Sequence, residues 1–197
     1  MNKLAFLLLL IPCIVFGQKK HSLQKPPTYQ EALQLQKFDQ CLHQDLFTAK
    51  QRRTFFPFNT TNSIKIISFN DPKANFNYLP VKYHIIDKTK VREIKTLSNN
   101  GIDSLTDILY NIGYTPMKGG LAIADPGGKC YNPRNAILFI DKKGHVSEYI
   151  EFCFQCQKIE FSSEKIRKTA YCKQKFDLLR RYFLAQGIKI GTILETR

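Results

Sequence analysis

Hydrophobic residues recur at three- and four-residue steps in three parts of the chain, which is the spacing of an amphipathic helix. The first helix is predicted to begin at Thr28, where Thr28 and Glu31 fit a capping box, and to end at the basic residues 50–53. The third is predicted to begin at Ser163 and to continue to about Gln186, where a glycine follows.

The second predicted helix has signals at both ends. Ser98 is its N-terminal cap, and Leu97 and Ile102 occupy the positions of a hydrophobic staple. An apolar stripe continues along the helix to Gly113, which is placed to close the C-terminal end in a left-handed conformation. This segment is therefore predicted to be helical from Ser98 up to Gly113.

Short apolar runs bounded by turn residues predict β-strands in the rest of the chain. Residues 87–90 separate the strands of one predicted hairpin, and the turn from Asp141 to Gly144 separates those of another. The predicted strands cover residues 64–69, 81–86, 91–96, 135–140, 145–153 and, as an edge strand, 188–194. Together these elements predict an α+β fold, with an antiparallel sheet of about five strands and helices packed against it.

The beginning of the chain has the layout of a signal peptide. Lys3 gives a positive start, residues 4–16 form an apolar run that is short for a membrane span, and Gly17 precedes the expected cleavage before Gln18. A retained anchor is the alternative, which is disfavoured because polar residues follow at once. The chain is thus predicted to divide into a signal peptide (1–17), a flexible lead-in (18–27) and a single domain (28–197).

Cys13 leaves lipid attachment as a second alternative, because bacterial lipoproteins are cleaved before a cysteine that then carries the lipid. Pro12 stands where a small residue is normally required, and the apolar run continues beyond the cysteine. Both features favour a free exported protein, periplasmic or secreted, over a lipid-anchored one.

The chain is strongly basic, with 30 lysines and arginines against 16 aspartates and glutamates and a net charge of +14. This excess favours an anionic or protein partner at the cell envelope and allows peripheral membrane contact, although it also serves simple solubility. Nucleic acid is disfavoured, since no recognition motif is present and aromatic residues are not interleaved with basic ones.

The predicted mature chain keeps five cysteines, so that at most two intramolecular disulfides form and one thiol remains. If Asp141 faces His145 across the second hairpin, Cys130 falls opposite Cys156. A disulfide between Cys130 and Cys156 is therefore the preferred pairing, with Cys130 to Cys153 as the alternative.

Cys153 and Cys156 also form a CxxC motif, which raises metal and redox alternatives. A zinc site would use Cys130, Cys153, Cys156 and either Cys172 or a histidine, but a single CxxC in an exported protein is weak evidence for one. Thiol exchange needs a helix after the first cysteine to lower its pKa, and here the motif follows a strand. The sequence favours a structural disulfide and no cofactor.

No catalytic motif stands out in the chain, which favours a non-enzymatic function. Arg134 lies beside the cysteine cluster on a rigid entry to a strand, where it is a candidate to bind an anion or to brace a loop. Basic residues of the third predicted helix form a second candidate anion-binding surface: Arg167, Lys168, Arg180 and Arg181.

Two segments carry a resemblance to a bacterial group. Residues 130–137 (CYNPRNAI) and 149–156 (YIEFCFQC) resemble a pattern of uncharacterised exported proteins and lipoproteins of Bacteroidota. The predicted helix 97–111 and the signal-peptide ending 16–18 are similar to the same group, and the resemblance covers residues 91–191. It implies a location in the bacterial envelope, and it implies no activity and no catalytic residue.

The leading hypothesis is a non-enzymatic, disulfide-stapled exported domain that acts by binding at the cell envelope. Its predicted contact surface is the stapled hairpin together with the basic third helix. The alternative is a CxxC-dependent metal-binding or thiol-redox protein of the envelope, and an envelope hydrolase is a third hypothesis.

Overall fold

The computed structural model describes residues 28–30, 40–70, 76–114, 130–170 and 172–193. Within those ranges, none of the helices is long and apolar enough to cross a bilayer. The strands are β1 (Leu42–His43), β2 (Ser63–Phe69), β3 (Val81–Lys82), β4 (Ile85–Ile86), β5 (Val91–Thr96), β6 (Ile112–Gly113), β7 (Asn135–Ile140), β8 (Val146–Cys153) and β9 (Lys158–Phe161). The helices are α1 (Ala49–Arg53), α2 (Asn99–Tyr110) and α3 (Lys175–Ala185).

Five strands form one antiparallel sheet in the order β5-β2-β7-β8-β9. β7 lies in the middle, and all six of its residues are buried, which explains its nearly continuous apolar sequence. Ile64 of β2 pairs with Phe139 of β7, and Ile137 pairs with Ile150 of β8. The predicted α+β fold with a five-stranded antiparallel sheet is confirmed.

Both faces of the sheet are covered. One face packs against α2 and α3 in the larger core, which includes Ile66, Leu105, Phe152 and Phe183. The other face carries a smaller cluster around Leu138, which is covered by the segment that contains β3 and β4. The β7–β8 hairpin therefore lies between two hydrophobic layers, and these layers fix the position of the cysteines near its open end.

Side-chain caps define the start of α1 and of α2. The Thr48 hydroxyl accepts from the Gln51 amide, and the Gln51 side chain accepts from the Thr48 amide, which is a reciprocal capping box. Ser98 caps α2 by accepting from the Gly101 amide, at the position that the sequence predicts.

The predicted first helix is wrong as a continuous element from Thr28 to residue 53. Its interior at 31–39 lies outside the described residues, but residues 40–48 are not helical, because Leu42 and His43 pair with β6 instead. The helix that ends near residue 53 begins only after Thr48.

The third helix begins at Lys175, twelve positions later than the predicted start at Ser163. Residues 167–170 run past the end of α2, where the Thr169 hydroxyl donates to the Leu109 carbonyl oxygen at 2.5 Å. This attachment to α2 holds the chain in a non-helical conformation before α3. The end of the helix is as expected, since Gly187 follows with a φ of +91°.

Gly113 does not cap α2. The helix ends at Asn111 in a right-handed conformation, and Gly113 pairs with Leu42 in the small sheet of β1 and β6. A Cβ at Gly113 would lie 2.7 Å from the Cβ of Ala170. The glycine therefore permits close packing and does not form a left-handed turn.

Two strand predictions are wrong in pairing or place. β5 does not form a hairpin with residues 81–86, because those residues fold back on themselves as β3 and β4 while β5 pairs with β2. The edge strand beside β8 is β9, and residues 188–194 are not a strand over their described part, 188–193. That segment is held instead by Glu93, which accepts from the amides of Lys189 and Ile190.

Candidate functional site

A disulfide joins Cys130 to Cys156 near the open end of the β7–β8 hairpin, with 5.7 Å between their Cα atoms. This is the pairing that the hairpin geometry favours, but the register is less regular than the sequence suggests. A bulge between Phe139 and Ile140 shifts the pairing by one residue. β8 then ends at Cys153, so that Cys156 lies in the turn that follows.

A second disulfide, which the sequence does not identify, joins Cys41 to Cys172 across 131 positions of the chain. It connects the residues before β1 to those before α3, and the Cys41 amide donates to the Gln174 side chain at 2.9 Å. No local pattern marks this pair, because the apolar spacing places Cys41 and Cys172 inside two predicted helices.

Cys153 is left as a free and buried thiol. Its Sγ donates to the Asn132 carbonyl oxygen at 3.3 Å. The zinc set considered from the sequence is not assembled, since Cys130, Cys156 and Cys172 all lie in disulfides. In the part of the chain that the structure describes, no group of three or more histidine, cysteine or acidic side chains is arranged to hold a metal ion.

A small pocket of about 40 Å³ lies beside this thiol. Its walls come from the entry to β7, from the turn after β8 and from the C-terminal turn. Arg134 is half-buried in the pocket wall, and its guanidinium has no hydrogen-bond or ion-pair partner among the described residues. The residues that line the pocket are Asn132, Arg134, Asn135, Cys153, Phe154, Gln155, Gly191 and Ile193.

Asn135, in the same pocket, has an unsatisfied side-chain oxygen. Its Nδ2 donates to the Ile190 carbonyl oxygen at 2.9 Å, whereas its Oδ1 is buried without a hydrogen-bond partner in the described structure. Leaving such an acceptor unpaired costs about 1–3 kcal/mol. Gly191 makes this packing possible, because its φ is +77° and a Cβ there would clash with Asn135 and lie 2.7 Å from the Cβ of Arg134.

Glu93 on β5 holds the C-terminal wall of the pocket. Its Oε2 accepts from the amides of Lys189 and Ile190, both at 2.9 Å, and from the Ser68 hydroxyl at 2.6 Å. Burial alone would raise the pKa of Glu93, but these hydrogen bonds outweigh it and hold the pKa below its ordinary value. The carboxylate form therefore positions the segment that carries Ile190 and Gly191.

Arg167 and Lys168 precede α3, and both contact other side chains. The Arg167 guanidinium lies 4.6 Å from the ring centroids of Phe47 and Phe55, which is the geometry of a cation–π contact. Lys168 pairs with Glu164 at 2.9 Å. The Arg167 charge is therefore part of the packing between α1 and the segment before α3.

Arg180 and Arg181 lie on α3 and both pair with Asp177. Arg180 also donates to the Thr192 carbonyl oxygen at 3.0 Å. The two arginines hold the pKa of Asp177 below its ordinary value, mainly through the hydrogen bond from Arg180. Of the five basic residues selected from the sequence, Arg134 alone has a guanidinium or ammonium group without a described protein partner.

Lys175 is a buried cation that the sequence places on a charged helix face. It is 2% exposed, and its ammonium donates to the carbonyl oxygens of Ile108 and Leu109 in α2 and to the Ile112 carbonyl oxygen in β6. Burial lowers the pKa of Lys175 to about 7. The lysine thus caps a neighbouring helix, a role that no spacing within α3 can indicate.

Glu151 is a buried carboxylate two residues before the free thiol. It accepts from the Tyr131 hydroxyl at 2.9 Å and lies opposite Glu160 in the sheet. Burial raises the pKa of Glu151, and burial together with the Glu151 charge raises the pKa of Tyr131. Because side chains alternate between the two faces of a strand, the sequence places Glu151 on the same face as Cys153. It does not identify Tyr131 as the hydrogen-bond partner of Glu151.

Comparison of the chain with protein-family models, curated proteins and solved structures found no match in any of the three. Cys13 and the predicted cleavage site at Gly17 and Gln18 lie outside the described residues. The pocket is therefore interpreted from its own geometry.

Proposed function

We propose that the protein is an exported binding domain whose Arg134 pocket captures the anionic end group of a ligand at the cell envelope. The observation that carries the proposal is the Arg134 guanidinium, which lines a pocket and has no described protein partner. A half-buried guanidinium has lost part of its hydration, which costs free energy when no counter-charge is present. Hydrogen bonds to a bound anion offset that cost.

The ligand has one chemical requirement. A guanidinium donates parallel hydrogen bonds to a carboxylate or phosphate, so the ligand carries an anionic oxygen for Arg134. The Oδ1 of Asn135 is buried against Gly191 and is closed to the ligand. A volume of about 40 Å³ admits such an end group and leaves the rest of the ligand outside the pocket.

Export is part of the proposal. The two disulfides, Cys41–Cys172 and Cys130–Cys156, are of the kind that persists in an oxidising compartment. The predicted signal peptide and the resemblance to envelope proteins of Bacteroidota support the same location. The Cys130–Cys156 disulfide also ties the entry to β7 to the turn after β8, which form two walls of the pocket, so less ordering accompanies binding.

Glycolate and glycolamide provide a matched pair of probes, because they differ only in that the carboxylate of one is a neutral amide in the other. We expect glycolate to raise the thermal midpoint of the full chain at a concentration at least tenfold lower than glycolamide, since hydrogen bonds to charged groups contribute about 1.5–3 kcal/mol. Arg134→Gln should weaken glycolate binding at least tenfold, because hydrogen bonds to charged groups contribute about 1.5–3 kcal/mol.

Arg181→Gln is the control, because it removes an equal charge from a residue outside the pocket that pairs with Asp177. It should leave the glycolate response within twofold of the unmodified chain. If Arg134→Gln and Arg181→Gln respond alike, or if glycolamide raises the midpoint at the same concentration as glycolate, the proposed pocket function is wrong.

A second candidate function, thiol–disulfide exchange, rests on the free Cys153 thiol three positions before the disulfide-bonded Cys156. The Cys153 thiolate would attack the Cys156 sulfur, forming a Cys153–Cys156 bond and releasing Cys130 as a thiolate. Peptide mapping after incubation with reduced and oxidised glutathione tests this. Survival of Cys130–Cys156 with Cys153 unmodified would exclude exchange under those conditions.

A further inference from the structure

We propose that the tip of the β3–β4 hairpin, formed by Tyr83 and Ile85, docks the protein on an anionic lipid surface. Val81 pairs with Ile86 at the base of this hairpin, and Tyr83 and His84 form its two-residue turn. Tyr83 is 83% exposed and Ile85 is 62% exposed. Phe76 and Tyr78, in the segment that leads into this hairpin, are also exposed, at 59% and 77%.

The turn places Tyr83 at the tip against its conformational preference. Tyr83 has a φ of 50° and His84 a φ of 64°, so both residues adopt the left-handed region. A two-residue hairpin turn of this kind favours Asn-Gly, and a bulky side chain at positive φ is an outlier. Because such outliers concentrate where function demands a particular side chain, the strain indicates that Tyr83 is kept for contact.

The tip is held firmly on the sheet. The Val146 amide donates to the His84 carbonyl oxygen, and the His84 Nδ1 lies 2.8 Å from the Val146 carbonyl oxygen. Val81 and Ile86 pack into the smaller hydrophobic cluster below. Anchored in this way, the hairpin presents Tyr83 and Ile85 in a fixed orientation, which reduces the entropy lost on docking.

One lysine contacts the tip, and two more lie in the turn that precedes its attachment point at Val146. The Lys82 ammonium lies 5.3 Å from the centroid of the Tyr83 ring, and Lys142 and Lys143 are exposed in the turn just before Val146. Glu148, which lines the groove beside the hairpin, accepts a hydrogen bond from Ser162. Each lysine near an anionic leaflet adds about a fivefold gain in binding, and the chain as a whole carries +14.

These features match a lipid surface better than a protein partner. Tyrosine is enriched at the membrane interface, where its ring contacts acyl chains and its hydroxyl remains hydrated. A stable protein interface buries about 800 Å² per partner, which requires a broader surface than a two-residue tip. The exposed Tyr83 ring beside the Lys82 ammonium provides an apolar group and a positive charge for contact with anionic headgroups.

A tryptophan at the tip provides a direct test, because the natural chain contains no tryptophan. In full-length Tyr83→Trp, vesicles of phosphatidylglycerol and phosphatidylcholine should shift the tryptophan emission to the blue, and brominated lipid should quench it. With phosphatidylcholine alone, apparent binding should be at least tenfold weaker. Adding Lys142→Glu and Lys143→Glu to Tyr83→Trp should weaken binding to anionic vesicles by at least tenfold.

Leu46→Trp is the matched control. Leu46 is 56% exposed and lies next to Phe47, which packs on the opposite face of the sheet. Its emission should not change with vesicles. An unchanged emission in Tyr83→Trp, or an equal shift in both variants, would overturn the proposal, and the equal shift would indicate attachment through another part of the chain.

The backbone strain at Tyr83 can be tested separately. Tyr83→Asn installs a residue that tolerates the left-handed region and keeps the His84 hydrogen bond to Val146, so it should raise the thermal midpoint of unfolding while removing the tyrosine ring. A lower midpoint would show that the native turn is not strained, and the argument that Tyr83 is retained for docking would then fail. None of these measurements depends on Arg134, so this proposal and the pocket proposal are tested separately.

Discussion

Lys175 connects α3 to the end of α2 through a side chain that is buried with its charge. The last carbonyl groups of a helix have no partner within the helix, and the Lys175 ammonium donates to those of Ile108 and Leu109 in α2 and to the Ile112 carbonyl oxygen in β6. This contact joins residues more than 60 positions apart. Desolvation opposes the charged form, so the interaction depends on pH.

The pH dependence of Lys175 has a defined sign. Its pKa is about 7 in the folded chain and about 10.4 when unfolded. Between these values the unfolded chain binds the extra proton, so the free energy of unfolding should increase from pH 7.5 to 9 by about 1–2 kcal/mol. Urea unfolding at the two pH values measures this change. The free energy of unfolding of Lys175→Met should not rise between them, whereas that of the exposed Lys173→Met control should rise as in the unmodified chain. An equal rise in Lys175→Met would show that Lys175 is not the titrating group.

Glu93 is predicted to support the pocket without touching the ligand. Glu93→Gln should lower the free energy of unfolding by about 1–2 kcal/mol, because the Ser68, Lys189 and Ile190 hydrogen bonds lose their charged acceptor. Since the folded pKa is depressed, this contribution is present above the unfolded pKa and is lost as the pH falls through the folded value. Urea unfolding at pH 6 and pH 3.5 should therefore show the variant and the unmodified chain converging in acid.

Glu164→Gln is the control for Glu93→Gln, because Glu164 is exposed and pairs only with the exposed Lys168 among the described residues. It should change the free energy of unfolding by less than about 0.5 kcal/mol. A difference between the Glu93→Gln variant and the unmodified chain that persists undiminished at pH 3.5 would show that the carboxylate charge is not the cause.

At the scale of elements, the two disulfides differ in the loops that they close. Cys41–Cys172 spans 131 positions and Cys130–Cys156 spans 26. The chain-entropy relation gives about 5 kcal/mol for the long loop and about 3.5 kcal/mol for the short one. Replacing Cys41 and Cys172 by alanine should therefore lower stability more than replacing Cys130 and Cys156, as measured by unfolding in guanidinium chloride. The reverse order would contradict the prediction.

Caps and turn residues in the sequence predict where a helix begins or a hairpin turns. They do not predict which elements pack together. Ser98 starts α2, and the turn from Asp141 to Gly144 joins β7 and β8, because caps and turn residues act within a few positions. The partner of β5 is set instead by tertiary packing, which favours β2 over the nearer residues 81–86. For the same reason the start of α3 is not visible in the sequence.

The candidate site was partly predictable. The hairpin register brings Cys130 to Cys156 and places Arg134 near them, because both follow from one antiparallel pairing. The contribution of Gly191 depends on a chain segment from more than fifty positions away. Likewise, the internal contacts of Arg167 and Arg180 show that a basic helical pattern does not by itself identify exposed charge.

The two surfaces with proposed roles lie at opposite ends of the β7–β8 pair. The pocket at Arg134 lies where β7 begins and the C-terminal turn closes over it, whereas Tyr83 projects from the hairpin that covers the other end of the β7–β8 pair. Such an arrangement allows a protein resting on a membrane through Tyr83 to keep the Arg134 pocket open to ligands. The positive charge of the chain favours both anionic partners.

The most direct measurement is the NMR signal of the Arg134 side chain during a glycolate titration. The Nε–H resonance of Arg134 and the amide of Gly191 should shift together and saturate, while the side-chain resonances of Arg167, Arg180 and Arg181 remain in place. If Arg134 is unaffected, or if all arginine side chains shift without saturation, glycolate is not bound at this pocket and the proposed function is contradicted.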